Sequence, residues 1–338
     1  MCTSVASAFS GSLAALVLEP ELGAQQAARI VWHAPQPGFV GALLLAFGGA
    51  AIAQRATHGL HLPGHPEQAH LDHDVGCGRM LPDDPRVESR CTWHATDARG
   101  DVILIGDSHA GALSEVVRDR SLAAGYDFTL VTFSACRFVD VDIVSSDTPC
   151  HRWVQAWTDE LAAHRHALVV VANRASWTVH DPDAPLVDPT TGKQTTDAAS
   201  KARIWRAGLS RTLDAVTRPG TPVAVVATVP QFGDFEVRTC ATWRLWFAPG
   251  SCTSTESRAT VDADRAESLP AQRAAIAAHP SAHLVDFVDA LCVDSSCSTT
   301  RDGVYQYRDD SHLSVPGALA LGPDVDRQIL TLAQPRPG

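Results

Sequence analysis

Lysine is almost absent from this 338-residue chain: Lys193 and Lys201 are the only two among its 27 Lys and Arg residues. The arginines lie scattered, no basic run forms, and the formal net charge is −11. That charge pattern excludes a binder of the nucleic-acid backbone and offers no basic patch to a membrane surface. None of the nine cysteines forms a C-x-x-C pair, which argues against a zinc site. No G-x-G-x-x-G or P-loop follows any apolar run, so neither a metal nor a nucleotide cofactor is expected. No internal repeat is present.

Charge is also missing from two stretches near the N-terminus. Residues 1–18 carry no charged side chain, and residues 30–54 carry no Asp, Glu, Lys or Arg. The second stretch contains GFVGALLLAFGGAAIA at residues 38–53, long enough with its flanks to span a bilayer and rich in small residues suited to helix contact in lipid. A signal peptide would place such a run near residue 10, although Ala51-Ile52-Ala53 has the A-x-A form of a cleavage site. A retained membrane helix fits better, with residues 1–18 as an earlier span. Arg29 between them favours a cytoplasmic loop and an exported C-terminal part. The expected division is therefore one or two transmembrane segments in 1–55, a linker and disulfide-bearing lead-in in 56–98, and a catalytic-type domain in 99–335.

Eight cysteines fall into four local couples, Cys77 with Cys91, Cys136 with Cys150, Cys240 with Cys252 and Cys292 with Cys297, leaving Cys2 over. With an exporting leader these read better as disulfides than as buried free thiols. Each would close a loop of roughly 6–15 residues and contribute about 2–3 kcal/mol. Five histidines crowd residues 58–74, HGLHLPGHPEQAHLDHD. They could bind a metal, but Pro63 and Pro66 interrupt helical pairing, and a solvated linker is the simpler expectation.

From Asp101 the pattern alternates apolar runs with helical spacing, which predicts a parallel α/β sheet. Strands are expected at 101–106, 126–132, 167–172, 222–229 and 283–287, and helices at 110–124, 151–165, 200–217, 262–278 and 315–333. Residues 181–196 read as a polar loop and 231–261 as a longer excursion.

Two short motifs carry chemistry. The first strand runs into Gly106-Asp107-Ser108-His109 and a helix begins at once. A serine there stands where ligands meet doubly wound sheets, with helix N-terminal N–H groups to stabilise an oxyanion. An ordinary N-cap is the bland reading. Before the last helix stands Asp309-Asp310-Ser311-His312, which supplies the base and acid that a serine nucleophile needs; a helix cap with an exposed His is the alternative. Such folds bring the two motifs together.

On these residues the chain resembles the SGNH hydrolases, and more narrowly the extracytoplasmic SGNH domain fused after the membrane part of acyltransferase-3 proteins, which O-acylate cell-surface polysaccharides. Ser134-Ala135-Cys136-Arg137, the run VVVANRASW ending at Trp177, Val229-Pro230 and the tail DALCVDSSCSTTRDGVYQYRDDSHLS extend the likeness over about residues 40–325. The resemblance implies a flavodoxin-like three-layer α/β sandwich with a five-stranded parallel sheet, preceded by one or two transmembrane helices. It implies a catalytic triad of Ser108, His312 and Asp309. It implies an oxyanion hole from the Ser108 N–H, the N–H of Ser134 or Ala135, and the Asn173 side chain. The family's second block usually has a Gly, which is absent here, and its third block is normally Gly-x-Asn-Asp where this chain has Val171-Ala172-Asn173-Arg174. Asn173 as a strand-terminal cap remains open. Arg174, Trp177 and His109 are expected at the substrate, against the plainer reading of core Trp and surface Arg. Trp243, Trp246 and Phe247, between Cys240 and Cys252, form either a sugar-stacking flap or a satellite core.

The implied function is O-acyl transfer, chiefly O-acetyl, to glycan hydroxyls outside the membrane. The acyl donor would be delivered by a membrane acyltransferase domain or partner, because residues 1–53 hold at most two spans. A carbohydrate esterase of the same type and a non-catalytic glycan-binding domain are the rivals. The location implied is the cell membrane, with the domain periplasmic or extracellular.

Overall fold

A strand whose side chains are apolar on both faces needs a packed layer on each side. In the computed structural model, which describes residues 66–143, 148–187, 191–239 and 252–335, the predicted strands meet that demand. Six strands make the central sheet: β1 (Thr92–Trp93), β2 (Asp101–Gly106), β3 (Asp127–Thr132), β4 (Leu168–Ala172), β5 (Val223–Val226) and β6 (Ala282–Val285), in the order β1-β3-β2-β4-β5-β6. The last five run parallel. Val102 and Leu104 of β2 enter one core, and Ile103 and Ile105 enter the other.

The expected five-stranded sheet is thus corrected to six, because β1 pairs antiparallel with the edge of β3. Two residues are too few for a periodic signal. They reach the edge because α1 (Pro85–Cys91), capped by the Asp84 side chain, delivers them there.

The helices form the outer layers. On one face lie α2 (Ser108–Gly111) and α3 (Ser114–Ala123), with α9 (Val315–Ala320) and α10 (Gly322–Gln328). On the other lie α4 (Thr148–Ala163), α5 (Ala175–His180), α6 (Ala198–Val216) and α8 (Ser268–Ile276), the last preceded by α7 (Arg258–Asp264). Trp153, Trp157, Trp205 and Leu213 fill that second core. Three expected helices are each broken in two. After α2 the Ser114 hydroxyl donates to the Gly111 carbonyl and re-aims the chain. Pro323 in the first turn of α10 lacks the N–H that would continue α9.

The expected polar loop at 181–196 contains two short strands among its described residues. Leu186–Val187 pairs with Asp142–Ile143 on one side and Gln194–Thr195 on the other.

The lead-in is not a solvated linker where it is described. His70 and Asp72 are buried, the turn Leu71–Asp74 packs under α2, and the indoles of Trp153 and Trp157 both donate to the Met80 carbonyl. Disulfides join Cys77 to Cys91, Cys136 to Cys150 and Cys292 to Cys297. Cys252 is buried without a disulfide to a described cysteine, and its expected partner Cys240 lies outside the described residues. So do the expected spans, His58, His61, His65 and the aromatic residues 243–247. Among the described residues no helix is long and apolar enough to cross a membrane.

Candidate active site

Between β2 and β4 the chain changes direction across the sheet: β3 lies to one side of β2, and β4, β5 and β6 to the other. Such switch points leave a crevice at the carboxyl ends of the strands. Gly106 pairs with Ala172 there, so Asp107-Ser108 and Asn173-Arg174 leave the sheet side by side. Gly106 is needed for that approach, because a Cβ at 106 would stand 1.9 Å from the Ala172 carbonyl oxygen.

Asp107 caps α2 by accepting the His109 N–H at 2.9 Å, and its other oxygen accepts the Arg174 N–H at 2.9 Å. Burial pushes its carboxyl above the usual range, opposed by the Arg137 guanidinium and those two N–H groups. Ser108 therefore starts α2 half-buried, at the crevice. His312 comes to it from the far end of the sequence. Its Nε2 lies 2.8 Å from the Ser108 Oγ, and its Nδ1 lies 2.8 Å from Asp309 Oδ1. The carboxylate can only accept, so Nδ1 carries the proton and Nε2 is left to accept from the serine hydroxyl. The same Asp309 oxygen accepts the backbone N–H groups of Ser311 and His312. Burial works to raise the Asp309 pKa, but the His312 bond and charge, with those N–H groups, outweigh it and hold the carboxyl below its ordinary range.

The turn bearing this pair is braced rather than capped. The Arg308 N–H donates to the His312 carbonyl, and Tyr307 bridges to Leu313. From the neighbouring segment the Phe232 N–H donates to the Asp310 carbonyl and the Val237 N–H to the Arg308 carbonyl. The N-cap of α9 is Ser314, so Asp309 and Ser311 are free of that task.

Ala135 adopts φ = +64°, the left-handed conformation that favours glycine. Arg137 holds it by donating to the Ala135 carbonyl at 2.7 Å. Asn173 is 5% exposed; its Oδ1 accepts the Phe138 N–H at 2.9 Å. Both the cap and the donor reading of Asn173 thus retain an atom, Oδ1 for the loop and Nδ2 for a ligand.

Beside the site opens a cleft of about 550 Å³, with Arg174, Ser176, Trp177, Gln231 and Asp310 in its lining. Arg174 Nη2 bridges Gln231 Oε1 at 2.8 Å and Asp310 Oδ2 at 2.9 Å. Trp177 is 37% exposed, and the Arg137 and Arg174 guanidinium carbons lie 4.8 and 5.7 Å from its ring centroid. His109 does not share this cleft. It is buried with its ring 5.0 Å from that of His312, and its Nε2 has no hydrogen-bond partner among the described residues. Burial holds its pKa well below the ordinary value, helped by the repulsion that a protonated His312 or the Arg174 guanidinium would exert on a second charge. Asp107, Arg137, Gln231 and Asp310 joined the site without being singled out for a role; Asp107 and Asp310 lie inside the two motifs and Arg137 inside the Ser134–Arg137 block, whereas Gln231 carried no local signal.

A parallel sheet in this order, with a serine after its first parallel strand and an Asp-x-x-His turn before its last helical layer, is the architecture of an SGNH hydrolase-type domain. The chain belongs to the family described as the SGNH domain fused to AT3 domains, whose model matches residues 77–327. Similar solved structures include the periplasmic domain of a lipopolysaccharide acetyltransferase from Salmonella ser. Paratyphi A. That match has 16% identity, covers 70% of this chain and 85% of that one, and has a TM-score of 0.48. A protein described as an acylhydrolase from Bacteroides fragilis NCTC 9343 matches at 12% identity over 74% of this chain and 97% of that one, TM-score 0.38. One described as an arylesterase from Agrobacterium tumefaciens str. C58 matches at 14% over 69% and 99%, TM-score 0.35. No curated protein matches the chain.

Proposed function

We propose that the domain is an O-acyltransferase that moves an acetyl group through Ser108 to a glycan hydroxyl. The observation that carries this reading is the chain of 2.8 Å hydrogen bonds from Ser108 through His312 to Asp309, beside an open polar cleft with an exposed Trp177.

His312 takes the Ser108 proton as Oγ attacks the acyl carbonyl, and Asp309 stabilises the imidazolium that forms. Negative charge on the carbonyl oxygen is met by the N–H groups of Ser108 and Ala135 and by Asn173 Nδ2. His312 returns the proton to the departing donor, leaving an acyl-Ser108 ester. A sugar hydroxyl then gives its proton to His312 as it attacks this ester, and Ser108 is regenerated. The acceptor stacks on Trp177, with Arg174, Gln231 and Asp310 to hydrogen-bond its hydroxyls. His109, buried behind His312, has no part in substrate contact. The donor is supplied by a membrane acyltransferase domain or partner, and residues 1–55 anchor residues 99–335 on the outer side of the cell membrane. Hydrolysis is the second reading, supported by the openness of the cleft to water.

The test is product analysis. With an activated acetyl ester and candidate glycans, acetylated glycan supports transfer and free acetate alone across a broad panel supports an esterase. Ser108→Ala should lower turnover by about 10⁴-fold or more; survival within about tenfold of wild type would sink the serine assignment.

A further inference from the structure

His70 reaches the back of the turn that carries His312 from a stretch of sequence that has no catalytic motif. Its Nδ1 lies 2.8 Å from Glu115 Oε2 and its Nε2 2.8 Å from the Leu313 carbonyl oxygen, both contacts buried. His70 is 3% exposed and Glu115 6%. The other Glu115 oxygen accepts the Leu71 N–H at 2.9 Å. A carbonyl can only accept, so Nε2 carries a proton and donates it to Leu313, and a second proton lies between Nδ1 and Glu115.

Leu313 follows His312, and this is what gives the contact its meaning. The His312 N–H is held by Asp309 and its carbonyl by Arg308, both within the same turn. The next carbonyl along is held by His70, 243 residues away in sequence. Two residues on, Asp72 lies against α2: a Cβ at Gly111 would stand 2.4 Å from Asp72 Oδ2. One short segment therefore touches both the helix that begins with Ser108 and the turn that carries His312.

We infer that His70, oriented by Glu115, is a positioning residue that sets the His312 imidazole against Ser108. The inference rests on the catalytic roles proposed above. A buried hydrogen-bonded pair at that place is also a stabilising strut, and the two roles separate by chemistry. In Glu115→Gln the new amide donates to Nδ1 of a neutral His70, whose Nε2–H still reaches Leu313. In His70→Gln the amide donates to Leu313, but its oxygen then faces the Glu115 carboxylate, acceptor against acceptor. His70→Gln together with Glu115→Gln restores an unbroken series. The amide introduced at position 115 then donates to the side-chain oxygen introduced at position 70, whose own amide donates to Leu313.

The full chain is assayed with p-nitrophenyl acetate, and near-UV circular dichroism checks folding at the assay temperature. His70→Ala and His70→Gln should lower kcat about tenfold or more with KM nearly unchanged, since small misplacements of a reacting group cost rates of that order. Glu115→Gln and the double variant should both stay within about threefold of wild type. If His70→Ala does not fold, His70→Gln against the double variant decides. Wild-type kcat in His70→Gln, a change in KM rather than kcat, or a double variant no faster than His70→Gln overturns the inference. Ser108→Ala is run alongside: if it keeps its turnover the catalytic reading itself fails, whereas an inactive Ser108→Ala with fully active His70 variants overturns the positioning role alone.

Discussion

Replacing Asn173 with Ala removes two atoms with separate duties, and the two losses have different sizes. Oδ1 accepts the N–H of Phe138, a residue with no exposed surface, so the substitution leaves a buried donor unpaired. That costs about 1–3 kcal/mol, or a fall in Tm of about 2–4 °C for each kcal/mol in a domain of this size. Nδ2 makes no hydrogen bond within the described residues and is the proposed third oxyanion donor. Its loss should lower kcat by about 10²–10³-fold, with little effect on KM. The first loss cannot produce the second: a domain with about 5 kcal/mol of stability keeps more than nine-tenths of its molecules folded after losing about 3. Initial rates with p-nitrophenyl acetate at 25 °C, beside a thermal melt of the same sample, measure both. A Tm drop with kcat within about threefold of wild type would show that Asn173 is only a strut. An unchanged Tm would refute the value assigned to the Phe138 bond.

Burial holds the His109 pKa far below its ordinary value, so the unfolded chain binds a proton that the folded one refuses. Stability from this residue is complete above the unfolded pKa of about 6.5 and is lost as pH falls below it, by at most about 1.4 kcal/mol per unit. Melts of wild type and His109→Asn between about pH 7.5 and 5 should therefore converge on the acid side, and parallel curves would contradict the assignment. Ala135→Gly should relieve the left-handed backbone, worth about 1–2 kcal/mol, against about 0.4–1 kcal/mol of added chain entropy. The expected result is a small rise in Tm with turnover unchanged, since the proposed donor is a backbone N–H; a loss of rate above about tenfold would mean that the methyl group, and not the N–H, is what the site uses.

β2, β4 and β5 were legible because burial on both faces leaves a mark within four to six consecutive residues. β1 left none, since its two residues are placed by α1 and the β3 edge and not by their own pattern. The break between α2 and α3 was equally hidden: the Ser114 hydroxyl on the Gly111 carbonyl and Asp72 against Gly111 are tertiary events, and helical spacing runs through them undisturbed. Pro323 did announce the second break, yet the apolar spacing after residue 315 reads as one helix unless a single proline is given priority over the pattern. In the proposed site, Gly106-Asp107-Ser108-His109 and Asp309-x-x-His312 were readable because each gathers its polar residues within four consecutive positions. His70 was not, because polar, proline-flanked surroundings predict solvent, and its partners lie 45 and 243 residues away.

The same contrast explains how the two motifs meet. Ser108 is fixed by the sheet itself: Gly106 lets β2 press on β4, and Asp107 ties the start of α2 to the Arg174 N–H beyond β4. His312 has no strand beneath it. Its turn is held from outside, by the Phe232 and Val237 N–H groups on one side and by His70 on the other. The proposed nucleophile, fixed by the sheet, and the proposed base, on a braced turn, should respond differently to damage. Changes under β2 and β4 should act first on stability, because many buried contacts share the load. Loss of a single brace removes one of few restraints on the imidazole, so its first effect belongs in kcat, while the sheet and its cores stay intact.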